Sequence, residues 1–376
     1  MAIRLSTDFD GGNGLLLNLD EGTGRPVVRF AAQPKNCPEA MWFHFRLDGL
    51  AGRGATVVLG NPEQTLGGGN WSGNRPVLRA TDGAWRRTGQ ARAVPQPDGR
   101  TEYAWDLDAD CNSLEFAHCF PYQLADWRAL RDELSPTFRT GEIGVTLGDH
   151  RMARAYTGPA EADKPAVYLT ARHHAGETPG SWVLEGVLRR VAADADLAKS
   201  ITWWAVPFVD VDDVVGGSYG KDPWPHDTNR GYGRMQRRVE AKAIMADVVR
   251  IKRASRNILL LDLHAPSHHE QENYIPLRGW DFETPIDETA RAFAEVYHTR
   301  IPEEIRSPIA HKTPKPAGEA RILGMSSVRW GREMLGIDAA TLETSYQGNG
   351  KVYYTIDDYR RLGSALAEAA AQWVRR

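Results

Sequence analysis

From residue 166 onward the chain alternates short apolar runs with stretches of helical spacing, and this alternation limits the fold more than any other feature. Val167-Tyr168-Leu169-Thr170, Ile201-Thr202-Trp203-Trp204-Ala205-Val206, Ile258-Leu259-Leu260-Leu261-Asp262-Leu263 and Ala339-Ala340-Thr341-Leu342 read as buried strands. Residues 182–193, 239–252, 290–300 and 359–374 read as helices, the second with apolar residues at Ala243, Ile244, Val248 and Ile251. Such an order implies an α/β domain built on a largely parallel or mixed sheet. In a sheet of this kind, functional residues collect just past the C-terminal ends of the strands.

The first part of the chain has another texture. Short alternating segments (residues 41–47, 55–59 and 102–107) are separated by turn signals at Asn61-Pro62, Gly67-Gly68-Gly69-Asn70, Asp82-Gly83 and Pro97-Asp98-Gly99. That rhythm predicts an antiparallel β-sandwich over residues 1–125. Trp42, Trp71, Trp85 and Trp105 are expected mostly in its core. A helix over 123–134, a strand pair at 142–147 and 152–156, and a link rich in Pro, Ala and Glu at 158–165 lead into the second domain, 126–376. The 376 residues suffice for two domains with cores of their own.

Composition excludes some classes. The net charge is −3 and the cations are scattered, which argues against a nucleic acid or an anionic membrane as partner. No apolar run reaches the ~18 residues of a membrane span. The opening MAIRLSTDFDGGNG lacks the apolar stretch of a signal peptide, so the expected location is the cytoplasm. Cys37, Cys111 and Cys119 form no CxxC pair and are expected to be reduced thiols rather than zinc ligands.

Three strand exits carry residues with metal chemistry. Arg172-His173-His174-Ala175-Gly176-Glu177 follows the first strand, His264 the strand 258–263, and Glu343 the strand 339–342. Zinc favours imidazole nitrogen and carboxylate oxygen, and a catalytic zinc takes three protein ligands and keeps a position for water. A further carboxylate can accept a proton from that water and pass it to a leaving amine. HxxE spacing alone is weak, because His269-Glu270-Gln271-Glu272 repeats it. His264 and His268 also imitate a helical i,i+4 pair, although Pro266 argues against a helix there.

The stretch Thr170-Ala171-Arg172-His173-His174-Ala175-Gly176-Glu177-Thr178-Pro179-Gly180-Ser181 resembles the first zinc motif of the zinc carboxypeptidases, in their cytosolic carboxypeptidase branch. Residues 207–217, Asp227-Thr228-Asn229-Arg230, Leu261-Asp262-Leu263-His264 and Thr341-Leu342-Glu343-Thr344 resemble that family's later motifs in the right order. Residues 42–46, 82–85 and 117–122 are similar to the β-sandwich that precedes the catalytic domain in this branch. The resemblance implies an N-terminal antiparallel β-sandwich followed by a zinc-carboxypeptidase-like α/β domain, its mixed, mostly parallel central sheet flanked by helices. It implies one Zn2+ held by His174, Glu177 and His264, with Glu343 as general base and acid. Asn229 and Arg230 would hold the substrate's terminal carboxylate, a task suited to the forked donors of Arg. Three departures stand out, one being that Phe208-Val209-Asp210-Val211-Asp212 lacks two of the turn residues expected in the stretch it resembles. Ala175 replaces the usual Pro, and no Arg occupies the place of the carbonyl-polarising cation. Lys221 is the nearest replacement.

The implied activity is metallocarboxypeptidase hydrolysis at the C-terminus of a peptide or protein, with glutamate as the expected released residue. Arg234, Lys312, Lys315 and Arg321 are the cations that would suit an acidic side chain, Arg321 being the one assigned to substrate. The alternatives are a zinc deacylase or amidase on an N-acyl amino acid, and a catalytically idle binding protein. A homo-oligomer is compatible with all three.

Overall fold

The computed structural model describes residues 2–22, 24–80, 83–108, 110–234, 236–278, 286–314 and 324–376. The N-terminal strands form two five-stranded sheets. One runs in the order Arg4–Ser6, His44–Asp48, Ser113–Ala117, Val77–Ala80, Arg86–Arg87, and the other Leu15–Asp20, Val27–Ala31, Ala55–Leu59, Thr101–Leu107, Arg92–Pro95. Alternation along each strand turns one set of side chains inward, and aromatic rings fill the space between the sheets. Phe30 of the second sheet meets Phe45 and Phe116 of the first at 4.8 and 6.1 Å between centroids. Trp42, Trp71 and Trp105 are buried and Trp85 packs against the same core, as expected.

The expected antiparallel pattern has one departure among the described strands. Val27–Ala31 and Ala55–Leu59 pair in parallel. The chain between them crosses to the opposite sheet as His44–Asp48, so it returns running the same way.

The second half carries a six-stranded sheet in the order Arg139–Val145, Arg151–Tyr156, Thr202–Val206, Ala166–Ala171, Ile258–His264, Asp338–Glu343. The last four are mutually parallel and the first two add antiparallel at one edge. Period-two alternation explains why the central strands read as continuous apolar runs, since both faces are covered. Leu259, Leu261 and Leu263 pack with the helices Thr178–Ala192, Glu288–His298 and Ile356–Val374. Ile258 and Leu260 pack on the other face with Val239–Ala254 and Ser327–Leu335. Asp262 and His264 follow Leu260 at steps of two, so they turn to this second face.

Glycine allows the tightest helix contact. A Cβ at Gly186 would lie 2.1 Å from Arg360 O and one at Gly363 2.0 Å from Val183 O, so only glycines let Thr178–Ala192 approach Ile356–Val374 so closely. The short helices Ala195–Ser200 and Val211–Gly216 and the longer Ser327–Leu335 had no predicted counterpart. Among the described residues no helix is long and apolar enough to cross a membrane.

Candidate active site

Strand register brings the chemistry together. Thr170 lies opposite Asp262, and His264 opposite Glu343, on adjacent parallel strands. Beyond Ala171 the chain turns sharply at Arg172, whose φ is +63°, an unusual conformation for a side chain of this size. The Arg172 guanidinium holds the turn by donating to Ala175 O (2.7 Å), Tyr122 O (2.9 Å) and Ser181 Oγ (3.2 Å). Burial of this cation brings its pKa down to about 10. Glu177 then sits at the N-cap of Thr178–Ala192, with Pro179 in the first turn, where its missing N–H costs nothing.

The result is a buried carboxylate between two imidazoles. Glu177 Oε1 lies 2.8 Å from His174 Nδ1, and Glu177 Oε2 lies 2.8 Å from His264 Nδ1. One ligand atom from each of the three residues falls within 4.8 Å of the others. The far ring nitrogens are backed by carboxylates: His264 Nε2 is 2.9 Å from Asp262 Oδ2, and His174 Nε2 is 3.4 Å from Asp227 Oδ2. Burial by itself would raise the Glu177 carboxyl, but the two imidazoles hold it below the ordinary carboxylate range. Burial would lower His264, yet Asp262 and Glu177 carry it well above the ordinary imidazole value. Positive charge is thus strongly favoured in the gap between Glu177 and the two Nδ1 atoms. Two nitrogens, one carboxylate oxygen and an outer carboxylate on each ring form the donor set that suits a zinc-like cation.

Glu343 stands beside this cluster, half-buried, its Oε2 without a hydrogen-bond partner among the described residues. Burial, with Glu177 adding to it, pushes its carboxyl up to about 7, against the opposing pull of His264, Lys221 and His174. Lys221 is close enough for its charge to act on Glu343, His174, Asp227 and Glu39. Arg230 is half-buried, donates from Nη1 to Asn229 O at 2.9 Å, and leaves Nε without a partner among the described residues.

Residues 5–119 match the cytosolic carboxypeptidase N-terminal domain. Cytosolic carboxypeptidase 2 of Danio rerio is 28% identical over 230 residues, 52% of this chain and 31% of that protein. Cytosolic carboxypeptidase 2 of Xenopus tropicalis is 29% identical over 251 residues, 59% of this chain and 25% of that one. The chain is similar to the cytosolic carboxypeptidases over part of its length. It spans less than a third of the length of these two proteins. In fold it is similar to a metallo-carboxypeptidase from Burkholderia cenocepacia, with a TM-score of 0.82 at 20% identity over 100% of this chain and 99% of that one. A metallo-carboxypeptidase from Pseudomonas aeruginosa in complex with (2-guanidinoethylmercapto)succinic acid gives 0.78 at 19% identity, over 100% and 99%.

Against the cytosolic carboxypeptidase motifs, the side chains fall out unevenly. His174, Glu177, His264 and Glu343 come together. Asn229 is less open than a substrate-binding residue would be: its Oδ1 accepts from Ser327 N at 3.0 Å and its Nδ2 lies 2.9 Å from His264 Nε2. Arg321 and Lys315 lie outside the described residues. Arg234 is exposed, and Lys312 is paired with Glu270 at 2.7 Å. Sequence reasoning assigned no role to Asp227, Asp262, Arg172 or Glu39. Asp262 had a usable signal, since a carboxylate two residues before a histidine on a strand shares its face.

Proposed function

We propose that the chain is a zinc-dependent metallocarboxypeptidase that removes a residue from the C-terminus of a peptide or protein. The observation that carries this reading is the convergence of His174, Glu177 and His264 at the strand exits, with Glu343 in register beside His264. His174 Nδ1, His264 Nδ1 and the Glu177 carboxylate would hold the metal. Zinc bound there would supply Lewis acidity toward a peptide carbonyl and toward water.

Glu343 has the exposure and the near-neutral carboxyl of a group that takes a proton from water and returns it to the departing amine. Lys221 supports the part of the second cation at the carbonyl oxygen. Arg230, whose Nε has no partner among the described residues, would bind the terminal carboxylate, helped by whatever donor Asn229 can spare. Residues 1–125 would form the sandwich domain and residues 126–376 the catalytic domain. The word cytosolic in the relatives' names supports action in the cytoplasm.

Release of glutamate has weaker support within the described residues, because Glu270 offsets the charge of Lys312. The test is a library of short peptides and N-acyl amino acids, incubated with and without a chelator and read by mass spectrometry. Loss of single C-terminal residues that stops with chelator and returns with zinc is the expected result, and the residues lost define the pocket. Turnover of the N-acyl amino acids alone would replace the peptidase reading with a deacylase one.

A further inference from the structure

His173 precedes the first proposed metal ligand and is itself assigned no task by the reading above. It is fully buried. Its Nδ1 donates to Asp262 Oδ1 at 2.7 Å, and the Tyr232 hydroxyl donates to its Nε2 at 2.6 Å. The Asp262 carboxylate, which can only accept, therefore fixes the proton on Nδ1, and the Tyr232 hydroxyl, free to donate or accept, serves the other ring nitrogen. Tyr232 is in turn anchored by its own N–H to Met325 O (3.2 Å) and by packing on Trp330.

Asp262 collects four donors. Oδ1 accepts from His173 Nδ1 and from Thr170 Oγ1 (2.8 Å), and Oδ2 accepts from Ser327 Oγ (2.6 Å) and His264 Nε2 (2.9 Å). A carboxylate offers about four acceptor directions, so this one is saturated and cannot turn about its Cβ–Cγ bond without breaking a bond. The His173 and His264 rings lie parallel, 9° apart with centroids 5.7 Å from each other.

We propose that His173, clamped by Tyr232, is a positioning residue for the metal centre: it locks the Asp262 carboxylate, which in turn holds the His264 ring with Nδ1 aimed at Glu177. The proposal rests on the metal-binding reading of His174, Glu177 and His264. Without His173, Oδ1 keeps a single donor, Thr170, and the carboxylate gains freedom to rotate. His264 keeps Glu177 at Nδ1 but is held less firmly at Nε2, and outer hydrogen-bond partners of this kind typically matter 10–100-fold, roughly, for metal affinity.

The experiment is a zinc titration of the metal-free protein against a competing chelator, for the native chain, His173→Ala, His173→Asn and Tyr232→Phe. The visible spectrum of the cobalt-loaded proteins and their metal-free thermal midpoints complete it. The expected result is roughly 10–100-fold weaker zinc binding for His173→Ala. His173→Asn keeps an amide donor facing Asp262 and should recover most of that loss. Tyr232→Phe should weaken binding in the same direction by a smaller factor and shift the cobalt spectrum. Native zinc affinity in folded His173→Ala and Tyr232→Phe overturns the proposal, even if their thermal midpoints fall, because packing alone then explains His173. Where His173→Ala does not fold, Tyr232→Phe decides by the same criterion. A native chain that takes up no zinc overturns the metallocarboxypeptidase reading instead.

Discussion

Two segments of this chain share the HxxE spelling, and the structure treats them in opposite ways. His174 and Glu177 follow a central strand, are buried, and meet His264. His269 and Glu272 line an open cavity of about 530 Å³ with Glu270, Gln271 and Lys312. In this second segment His268 is the buried residue, and its bonds run to the N-terminal loop: Nε2 donates to Gly68 O at 2.9 Å, and Asn74 Nδ2 donates to Nδ1 at 3.1 Å. Its ring stacks on Trp71 at 4.2 Å and 13°. Spacing is therefore the same in both. What differs is the scaffold: a strand exit in a parallel sheet forces three chain segments to one point, whereas the later loop is split between the sandwich, at Gly68, Trp71 and Asn74, and its own domain, at Lys312 and Ser345.

The comparison breaks most easily at the metal. His174→Ala should lose zinc retention through dialysis and reduce hydrolysis by more than the ~10–100-fold typical of outer hydrogen-bond partners, while His269→Ala should match the native chain in both. Equal zinc content in the two variants would remove the distinction drawn here. Next in size is Glu343→Gln, which should keep zinc and lower kcat by about 10²–10⁴-fold, the usual range for a lost proton-transfer group. Full activity in that variant would show that Glu343 is not the base. Smaller again is Arg230→Lys. It keeps the charge but loses the fork, so KM for peptides should rise by roughly 10–100-fold with kcat less affected, in line with about 1.5–3 kcal/mol for a bond to a charged group.

Much of this site was legible in the sequence because parallel-sheet topology does the assembling. Once residues 258–263 and 339–342 read as central strands, His264 and Glu343 had to emerge at the same sheet edge, and they are paired in register. The hydrogen bonds around them were not legible. Asp227 reaches His174 from a one-turn 3-10 segment, Thr228–Arg230, whose placement depends on buried contacts of Asp210 with Thr228 and Arg238. Asn229 carries a family motif, yet its amide turns toward His264 and the start of Ser327–Leu335, a helix with no predicted counterpart. The parallel pair in the sandwich escaped for a related reason. Local alternation identifies strands, but the crossing of His44–Asp48 to the opposite sheet is a tertiary choice.

The smallest expected effect tests the structural side of the comparison, at His268. Burial holds this imidazole down at about 4, with Gly68 O pulling the other way. It is neutral in the folded chain at pH 5 but protonated in the unfolded one, where the ordinary value is about 6.5. The unfolded state therefore binds more protons between pH 6.5 and 4. Stability from His268 is complete above 6.5, falls as the pH drops through this window, and levels off below 4. The slope it adds approaches ~1.4 kcal/mol per pH unit. His118 is also buried and held well below its ordinary value, so it adds to the same slope in every variant. The difference between the native chain and His268→Gln reports His268 together with its effect on the neighbouring His118. Denaturant melts at pH 7, 6, 5 and 4.5 should show a shallower acid slope for His268→Gln, with zinc affinity at pH 7 unchanged. Parallel slopes would mean that the stacked ring is protonated without cost. A loss of zinc would mean that the second segment is not purely a structural joint.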